Sequence, residues 1–329
     1  MTKAIRDTLI NALASGNFVS GQQLGQTLGV SRTAVSKHVK VLTEMGLDVF
    51  SVTGKGYKLA QPLTLLSKKN IENQLHKSKQ LNLIEVHQVV DSTNNYLLRK
   101  ITDQGDDELK QGQVCIAEYQ SAGRGRRGRQ WISPYGSHLY LSFYWQLQQG
   151  MSAAMGLSLV IAIAVSDTIH QLYNINVQLK WPNDIYINGE KFAGILVDLE
   201  GQSSGPSHSV VGIGINVNMP VASAREIDQP WTDLQKHCKQ TIDRNELCAM
   251  LIKNLNLRLL EHQEQGLTSM LVQWDDQDFY LNKAVNIITG DRVTPGICRG
   301  INHQGALLLE VEGIVKVIYG GEVSLRGAN

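Results

Sequence analysis

Residues 119–131 read Tyr119-Gln120-Ser121-Ala122-Gly123-Arg124-Gly125-Arg126-Arg127-Gly128-Arg129-Gln130-Trp131, so that four arginines are interspersed with three glycines. Glycine lets the backbone adopt positive φ and lie close to a ligand. The guanidinium group is an always-charged fork that suits carboxylate and phosphate. The stretch therefore predicts a cationic loop that closes over an anion. A disordered arginine-glycine arm that binds nucleic acid is the alternative interpretation, but the internal position of the stretch favours an ordered loop.

The segments on both sides of this loop indicate an α/β fold. The apolar run 114–117 precedes the loop and the alternating pattern 138–144 follows it, and both predict strands. Helical and strand patterns continue to alternate between residues 66 and 218, which is typical of an α/β domain with a mixed sheet. The predicted helices are 67–76, 93–101 and 151–173, the predicted strands are 81–90, 113–119, 137–146, 177–181, 185–188, 192–200 and 209–218, and an acidic loop is predicted at 104–111.

Composition limits the class of protein. The chain has 329 residues and 42% hydrophobic content, which is enough for two or three domains with their own cores. Its longest apolar stretch, 153–165, is shorter than the ~20 residues needed to cross a bilayer, so we expect no membrane partner.

The four cysteines are far apart and form no CxxC pair, which favours a reducing, cytoplasmic location. The nine histidines show no metal-ligand spacing, so no protein metal site is assigned.

The first 60 residues carry an excess of positive charge. They contain seven Lys/Arg against three acids, a balance of +4 in a chain whose net charge is +1. Helical patterns at 4–14 and 22–28, a turn at Gly29 and a third helix capped by Ser31 predict a helix-turn-helix. Two strands around the turn 53–56 predict its wing. An anionic partner is expected for this module.

The third helix of this module has the pattern of a recognition helix. Apolar residues recur at helical spacing on one side, and hydroxyl and cationic side chains occupy the other, which suits phosphates and base edges. An ordinary packing domain with a solvated basic face is the alternative interpretation. Because one module reads few bases, we expect a homodimer on an operator with two half-sites. The predicted DNA contacts are Gly21, Ser31, Arg32, Thr33, Ser36, Lys37, Lys40 and Lys55.

Four further clusters lie where predicted strands meet turns. Asp91-Ser92-Thr93-Asn94 combines polar side chains at a helix start, where helix capping is the favoured explanation for this cluster taken alone. Lys180-Trp181-Pro182-Asn183-Asp184 is a turn with an unusual tryptophan. The segment 188–196 predicts a hairpin that places Lys191 on an apolar strand. Glycines alternate on one face of the strand 211–218, which leaves room for a planar ligand or for a bulge.

Taken together, these motifs resemble those of the biotin-protein ligases. The resemblance is carried by Gly123-Arg124-Gly125-Arg126-Arg127-Gly128, Lys180-Trp181-Pro182-Asn183-Asp184, Lys191-Phe192-Ala193-Gly194-Ile195-Leu196 and Gly212-Ile213-Gly214-Ile215-Asn216, in this order. With the N-terminal module, the similarity is to the bifunctional members that also repress the biotin operon. Lipoate-protein ligases share the fold, but the arginine loop is not expected in them.

The resemblance implies a two-step reaction. Biotin and MgATP give biotinyl-5′-AMP and pyrophosphate, and biotin then passes to a lysine of the biotin carboxyl carrier protein of acetyl-CoA carboxylase. Biotinyl-5′-AMP also acts as corepressor by promoting dimerisation. The implied catalytic residues are Lys191, Arg124, Arg126, Lys180 and Asp184. The implied biotin-binding residues are Ser92, Thr93, Asn94, Gln120, Gly123, Arg124, Gly125, Arg126, Lys191, Gly212 and Gly214, and the implied adenylate-binding residues are Trp131, Asn183 and Asn216.

The C-terminal part predicts a long helix and then short strands. The helix is expected at 245–265 and strands at 284–289, 306–311 and 314–318, which the resemblance identifies as an SH3-like β-barrel. The predicted domains are 1–63, 64–273 and 274–329, and strand 192–200 is expected to pair at a sheet edge in the dimer. A transcription factor that senses a small anion without catalysis, and a lipoate-protein ligase, are the competing functions.

Overall fold

A computed structural model describes residues 2–76, 82–104, 109–148, 154, 156–201, 207–320 and 323–328. The N-terminal winged helix-turn-helix is confirmed. Its second helix ends at Gly29, whose φ of 65° is the left-handed conformation that the tight turn requires. Ser20 and Ser31 each accept a hydrogen bond from the backbone three residues later and so cap the next helix. The elements are α1 (Lys3–Leu13), α2 (Gly21–Leu28), α3 (Arg32–Glu44), β1 (Val49–Val52) and β2 (Gly56–Leu59).

The central domain is built on one mixed sheet of seven strands. The predicted alternation of helices and strands is confirmed, with shorter strands than expected at 81–90 and 113–119. The start of the predicted helix 151–173 and residues 105–108 of the acidic loop 104–111 lie outside the described residues. The elements are α4 (Lys68–His76), β3 (Ile84–His87), α5 (Thr93–Gln104), β4 (Val114–Ala117), β5 (His138–Leu147), α6 (Leu157–Tyr173), β6 (Gln178–Lys180), β7 (Asp184–Ile187), β8 (Glu190–Gly201), β9 (Ser207–Asn216), α7 (Val221–Ala224), α8 (Arg244–Gln265) and α9 (Leu271–Gln277).

The strand order of this sheet is β3-β4-β5-β9-β8-β7-β6, and only β3 and β4 run parallel. The prediction that strand 192–200 lies at a sheet edge is therefore wrong for its first part, because β8 lies between β7 and β9. Its register with β7 ends at Gly194, so among the described residues the second half of β8 has a strand neighbour on the β9 side only. The sequence could not show this, because the length of β7 is set by the turns at its ends.

Helices cover both faces of the sheet. Most of the apolar α6 is buried in the main core, where it packs against α8, and α5 covers the other face over Cys115 and Tyr144. Burial rather than a membrane explains the apolar character of α6, and no helix in the described part of the chain is both long and apolar enough to span a bilayer.

The C-terminal domain is a five-stranded antiparallel sheet. The strands predicted at 284–289, 306–311 and 314–318 are confirmed, and two more were missed. The expected closed barrel is not found, because the order is β13-β12-β11-β10-β14 and the described residues show no pairing between its two end strands. The strands are β10 (Ala284–Thr289), β11 (Arg292–Ile301), β12 (Leu307–Val311), β13 (Ile314–Ile318) and β14 (Val323–Gly327).

A buried ion pair fixes the segment between the first two domains. Glu118, which is 0% exposed, lies 2.8 Å from Arg244, which is 4% exposed. Arg244 also donates to the carbonyl of Thr64 at 2.8 Å, and Glu118 accepts from the backbone N–H of Leu66. Two buried charges are tolerated because each is paired and hydrogen-bonded. The pair therefore anchors the connecting chain to the central domain.

We expect Arg244→Met to lower the free energy of unfolding by about 3 to 5 kcal/mol, because it leaves the Glu118 carboxylate buried without its cation. Urea unfolding followed by circular dichroism measures this loss. Lys68→Met is the matched control, since it breaks an exposed ion pair with Glu72 and should cost less than about 1 kcal/mol. Equal losses in the two variants would show that Arg244 does not act through the buried pair.

Candidate functional site

A deep cavity opens where the arginine loop folds over β8 and β9. Most of the predicted site residues line it, although they come from widely separated parts of the sequence. They are Ser92, Thr93, Asn94, Gln120, Arg124, Gly125, Arg126, Lys180, Asn183, Asp184, Lys191, Gly212 and Gly214, together with Trp131. Gly123 does not line the cavity, and Asn216 lines a neighbouring one.

One end of the cavity is a buried polar network at the start of α5. The backbone N–H of Thr93 donates to Gln120 Oε1 at 2.9 Å, and the Thr93 hydroxyl donates to the same oxygen at 3.2 Å. The hydroxyl of Ser142 lies 2.7 Å from Thr93 Oγ1 and also contacts Asn94. Ser92 accepts from the backbone N–H of Asn95, so the helix-capping interpretation also holds. The network presents fixed donors and acceptors that suit a small polar ring.

Sequence reasoning missed Asp198, which connects this network to the arginine loop. Its Oδ2 accepts from Asn94 Nδ2 at 2.8 Å and from Arg124 Nη2 at 2.6 Å. Asp198 lies on β8 in a mostly apolar run, and Gly194 and Leu196 share its face because side chains alternate along a strand. A carboxylate in such a position was the signal that could have identified it. Ser142, which was also missed, is an isolated hydroxyl in the buried strand β5.

The arginine loop is ordered, as predicted. The N–H of Gly125 donates to the carbonyl of Arg129 at 2.7 Å, which closes the loop on itself. Arg127 and Gly128 adopt φ of 57° and 69° between these residues, so the tip is a tight left-handed turn. Arg126 donates to Asn183 Oδ1 at 2.8 Å and so ties the loop to the turn between β6 and β7. Gly123 has a packing role, because a Cβ there would lie 2.6 Å from the carbonyl of Trp131.

Two paired glycines form a flat patch of backbone on the sheet. Gly194 on β8 is directly opposite Gly214 on β9, and the indole of Trp131 lies against both. A Cβ on Gly214 would come within 2.6 Å of the indole, and one on Gly212 within 2.4 Å of Asn94 Oδ1. The glycine alternation therefore serves close approach. The indole N–H of Trp131 is buried without a partner among the described residues.

Trp131 lines both the first cavity and a neighbouring one. The second cavity lies beside the chain that follows β9, and the predicted site residues in its lining are Trp131, Lys191 and Asn216. Both cavities are lined by Arg129, Gln130, Trp131, Lys191 and Gln229. Lys191 therefore lies at their junction, with its Nζ 5.5 Å from the centre of the indole and 2.6 Å from Asp184 Oδ1. The second cavity is further lined by Ile132, Asn216, Met219, Glu226, Ile227, Asp228, Trp231 and Arg326.

Lys180 is a buried cation in the first cavity. Only 9% of the residue is exposed, and burial lowers the pKa of its amine to about 8. Asp184 raises this pKa, whereas the nearby cations Arg326, Lys191 and Arg129 lower it further. A site with this many cations attracts an anion with several charges. The described residues contain no group of three or more His, Cys, Asp or Glu side chains that could hold a metal ion.

The outer face of α3 is the candidate DNA interface. The α3 side chains that were predicted to contact DNA are exposed, whereas Val35, Val39 and Leu42 on the opposite face are fully or almost fully buried. Gly21 is buried against Arg32 and Tyr57, and its contact with DNA stays a prediction. The exposed residues are Ser31, Arg32, Thr33, Ser36, Lys37 and Lys40, and Lys55 is exposed at the tip of the wing.

The comparison with known families matches all three parts of the chain. Residues 6–58 match an HTH domain, residues 86–216 match the biotin/lipoate A/B protein ligase family, and residues 280–326 match the biotin protein ligase C-terminal domain. The matches fall on the winged module, the cavity-bearing sheet and the C-terminal sheet described above.

Known proteins and solved structures are similar to this chain over most or all of its length. The bifunctional ligase/repressor BirA of Escherichia coli (strain K12) is 48% identical over 97% of each chain. The protein of the same description from Bacillus subtilis (strain 168) is 30% identical over 99% of this chain and 100% of its own. The biotin protein ligase from Aquifex aeolicus in complex with biotin and ATP is 28% identical, with a TM-score of 0.63 over 75% of this chain and 99% of that one. The chain belongs to the BirA family of bifunctional ligase/repressors.

Proposed function

We infer that this protein is an ATP-dependent biotin-protein ligase that also represses transcription at the biotin operon. Biotin and ATP are its substrates. In the first step a carboxylate oxygen of biotin attacks the α-phosphorus of ATP, and pyrophosphate leaves. In the second step a lysine amine of the biotin carboxyl carrier protein attacks the acyl carbon of biotinyl-5′-AMP, and AMP leaves. The BirA relatives and the biotin- and ATP-bound neighbour support this assignment.

The position of Lys191 is the observation that carries the proposal. Joining biotin to AMP requires a cation at the point where carboxylate and phosphate meet, because both reactants are negative. Lys191 lines both cavities and lies beside the indole of Trp131, which also lines both. In our proposal biotin occupies the first cavity, the adenosine lies beyond Trp131 near Asn216, and the mixed anhydride passes Lys191.

The polar network at the start of α5 favours biotin over another carboxylic acid as the substrate. Thr93, Asn94 and Gln120 present hydrogen-bonding groups of both kinds at a buried end of the cavity. We propose that they bind the ureido ring, with Ser92 as the cap that fixes the helix start. Gly212 then leaves space next to Asn94, because any larger residue there would contact its amide oxygen.

The cations around the cavity suit the triphosphate. Arg124 and Arg126 reach the cavity from the loop, and Lys180 reaches it from β6. We propose that these side chains neutralise the phosphates together with Mg²⁺, which would arrive bound to ATP because the described residues offer no carboxylate cluster for it. Asp184 holds Lys191 in place, and we propose that it receives the acceptor lysine in the second step.

Repression would depend on dimerisation that is promoted by bound biotinyl-5′-AMP. We propose that biotinyl-5′-AMP bound under the arginine loop favours association of two protomers, and that the paired α3 helices read two half-sites. The second half of β8, which is paired on one side, is the proposed contact with the other protomer or with the carrier protein. We propose residues 1–63, 64–273 and 274–329 as the units that carry DNA binding, catalysis and the C-terminal sheet.

Biotin transfer is the direct test of the enzymatic function. With MgATP, the purified protein should attach labelled biotin to the carrier protein, and Lys191→Met should lower the rate of adenylate formation at least about 100-fold, because the cation at the reacting centre is lost. Lys253→Met, on the exposed side of α8, is the control and should react like the unchanged protein. Transfer of lipoate in place of biotin would identify a lipoate ligase, and no transfer would identify a ligand-sensing transcription factor.

The arginine loop should retain the adenylate. Arg126→Gly removes the hydrogen bond to Asn183, so we expect release of biotinyl-5′-AMP to be faster by about tenfold or more and free lysines on bystander proteins to become biotinylated. Arg127→Gly is the matched control, because it removes a cation at a position whose φ of 57° suits glycine. Release can be timed after rapid dilution. If the Arg126 variant retains biotinyl-5′-AMP for as long as the unchanged protein does, the loop does not act as a lid.

DNA binding should reveal both the interface and the number of protomers. Each phosphate contact contributes about −0.9 to the slope of log affinity against log salt. With biotinyl-5′-AMP and a duplex carrying the biotin operon operator, Lys37→Ala should make the slope shallower by about 1.8 for a dimer and about 0.9 for a monomer. Lys68→Ala, on α4, should leave the slope unchanged. An unchanged slope in the Lys37 variant would exclude α3 from the interface.

A further inference from the structure

Lys180 is held on one side by a tyrosine of the neighbouring strand. Its Nζ donates to the hydroxyl of Tyr186 at 2.9 Å and lies 5.1 Å from the centre of that ring. Burial raises the pKa of Tyr186, so the phenol stays protonated and its oxygen remains an acceptor for the ammonium. A lysine has four rotatable bonds and no preferred direction of its own, so such a contact is needed to aim it.

The segment that leads into the C-terminal sheet also packs near Lys180. The ring of Tyr280 lies 5.9 Å from Lys180 Nζ, and Phe279 packs against both tyrosines at 5.1 and 4.7 Å. The N–H of Phe279 donates to the carbonyl of Leu179 at 2.8 Å, and the hydroxyl of Tyr280 accepts from the N–H of Gly327 at 2.9 Å. Elements of two domains therefore enclose one amine.

The groups that face Lys180 set its charge as well as its direction. Asp184 favours the ammonium form, and Arg326, Lys191 and Arg129 disfavour it. The hydroxyl of Tyr186 favours the ammonium form because it accepts a hydrogen bond from it. Close to neutral pH the amine is thus mostly charged, and loss of one acceptor would let burial and the three cations remove its proton more easily.

We propose that Tyr186 is a positioning residue for adenylation, whose hydroxyl holds the ammonium of Lys180 toward the phosphates of ATP while the ring of Tyr280 packs nearby. The inference rests on the proposed ligase function. Tyr186 does not line the cavity itself, so it acts through Lys180 rather than on the substrate. The C-terminal segment then affects the use of ATP and leaves the biotin end of the site untouched.

The pH dependence of adenylation tests this role. We expect kcat/KM for ATP, measured by biotin-dependent pyrophosphate exchange, to fall as pH rises through the pKa of Lys180, because the ammonium is the active form. In Tyr186→Phe the charged form loses its acceptor, so the fall should move to lower pH by roughly one unit. The affinity for biotin without ATP, measured by calorimetry, should not change.

Tyr280→Phe is the matched control. It keeps both rings and the Lys180 hydrogen bond but loses the acceptor of the Gly327 N–H, so kcat/KM should fall at the same pH as in the unchanged protein. An unshifted profile in Tyr186→Phe, or equal shifts in both variants, would overturn the proposal.

Lys180→Met distinguishes the role of Lys180 in the use of ATP from the positioning role of Tyr186. If this variant uses ATP normally, the proposed role of Lys180 is wrong; if it loses the use of ATP while Tyr186→Phe is normal, only the positioning role is wrong.

Discussion

The contact between an indole and bare backbone controls the shape of this site. Trp131 lies on the glycine pair Gly194 and Gly214, where two neighbouring strands present no side chains. Any Cβ at position 214 would meet the ring at 2.6 Å, well inside van der Waals contact. Because the sheet beneath is fixed by its hydrogen bonds, the ring has a rigid support. The ring lines both cavities, and so does Lys191, whose Nζ lies 5.5 Å from its centre.

Electrostatics then decides what those cavities accept. Arg124 and Lys191 each have a carboxylate partner, Asp198 and Asp184, at 2.6 Å, and both pairs are partly exposed. Such pairs are weak because water screens them, so an anionic ligand can compete for the cations at little cost. Buried Lys180 differs, since burial lowers its pKa to about 8. A phosphate that enters the site can therefore replace the carboxylate partners of Arg124 and Lys191. Its negative charge would also favour the ammonium form of Lys180.

Local patterns made much of the fold and most of the cavity predictable. The capped α3 and the loop 119–131 are defined by residues that lie close together in the sequence, and so are the hairpin and its Lys191. What failed depends on contacts between distant residues. The number of partners of β8 depends on where β7 ends, and the closure of the C-terminal sheet depends on whether β13 meets β14. Asp198 was missed because its partners Asn94 and Arg124 are about a hundred and about seventy residues away in the chain.

The arginine loop also lies a short way along the chain from the DNA-binding module. Tyr135, four residues after Trp131, is buried in the core of that module with Leu9, Leu13 and Leu42. Its N–H donates to the carbonyl of Met45 at 2.8 Å, directly after α3. The chain that supports the indole thus also holds the end of the proposed recognition helix. The short segment 132–135 therefore joins the residue that lies on the glycine pair to the core that holds the end of α3.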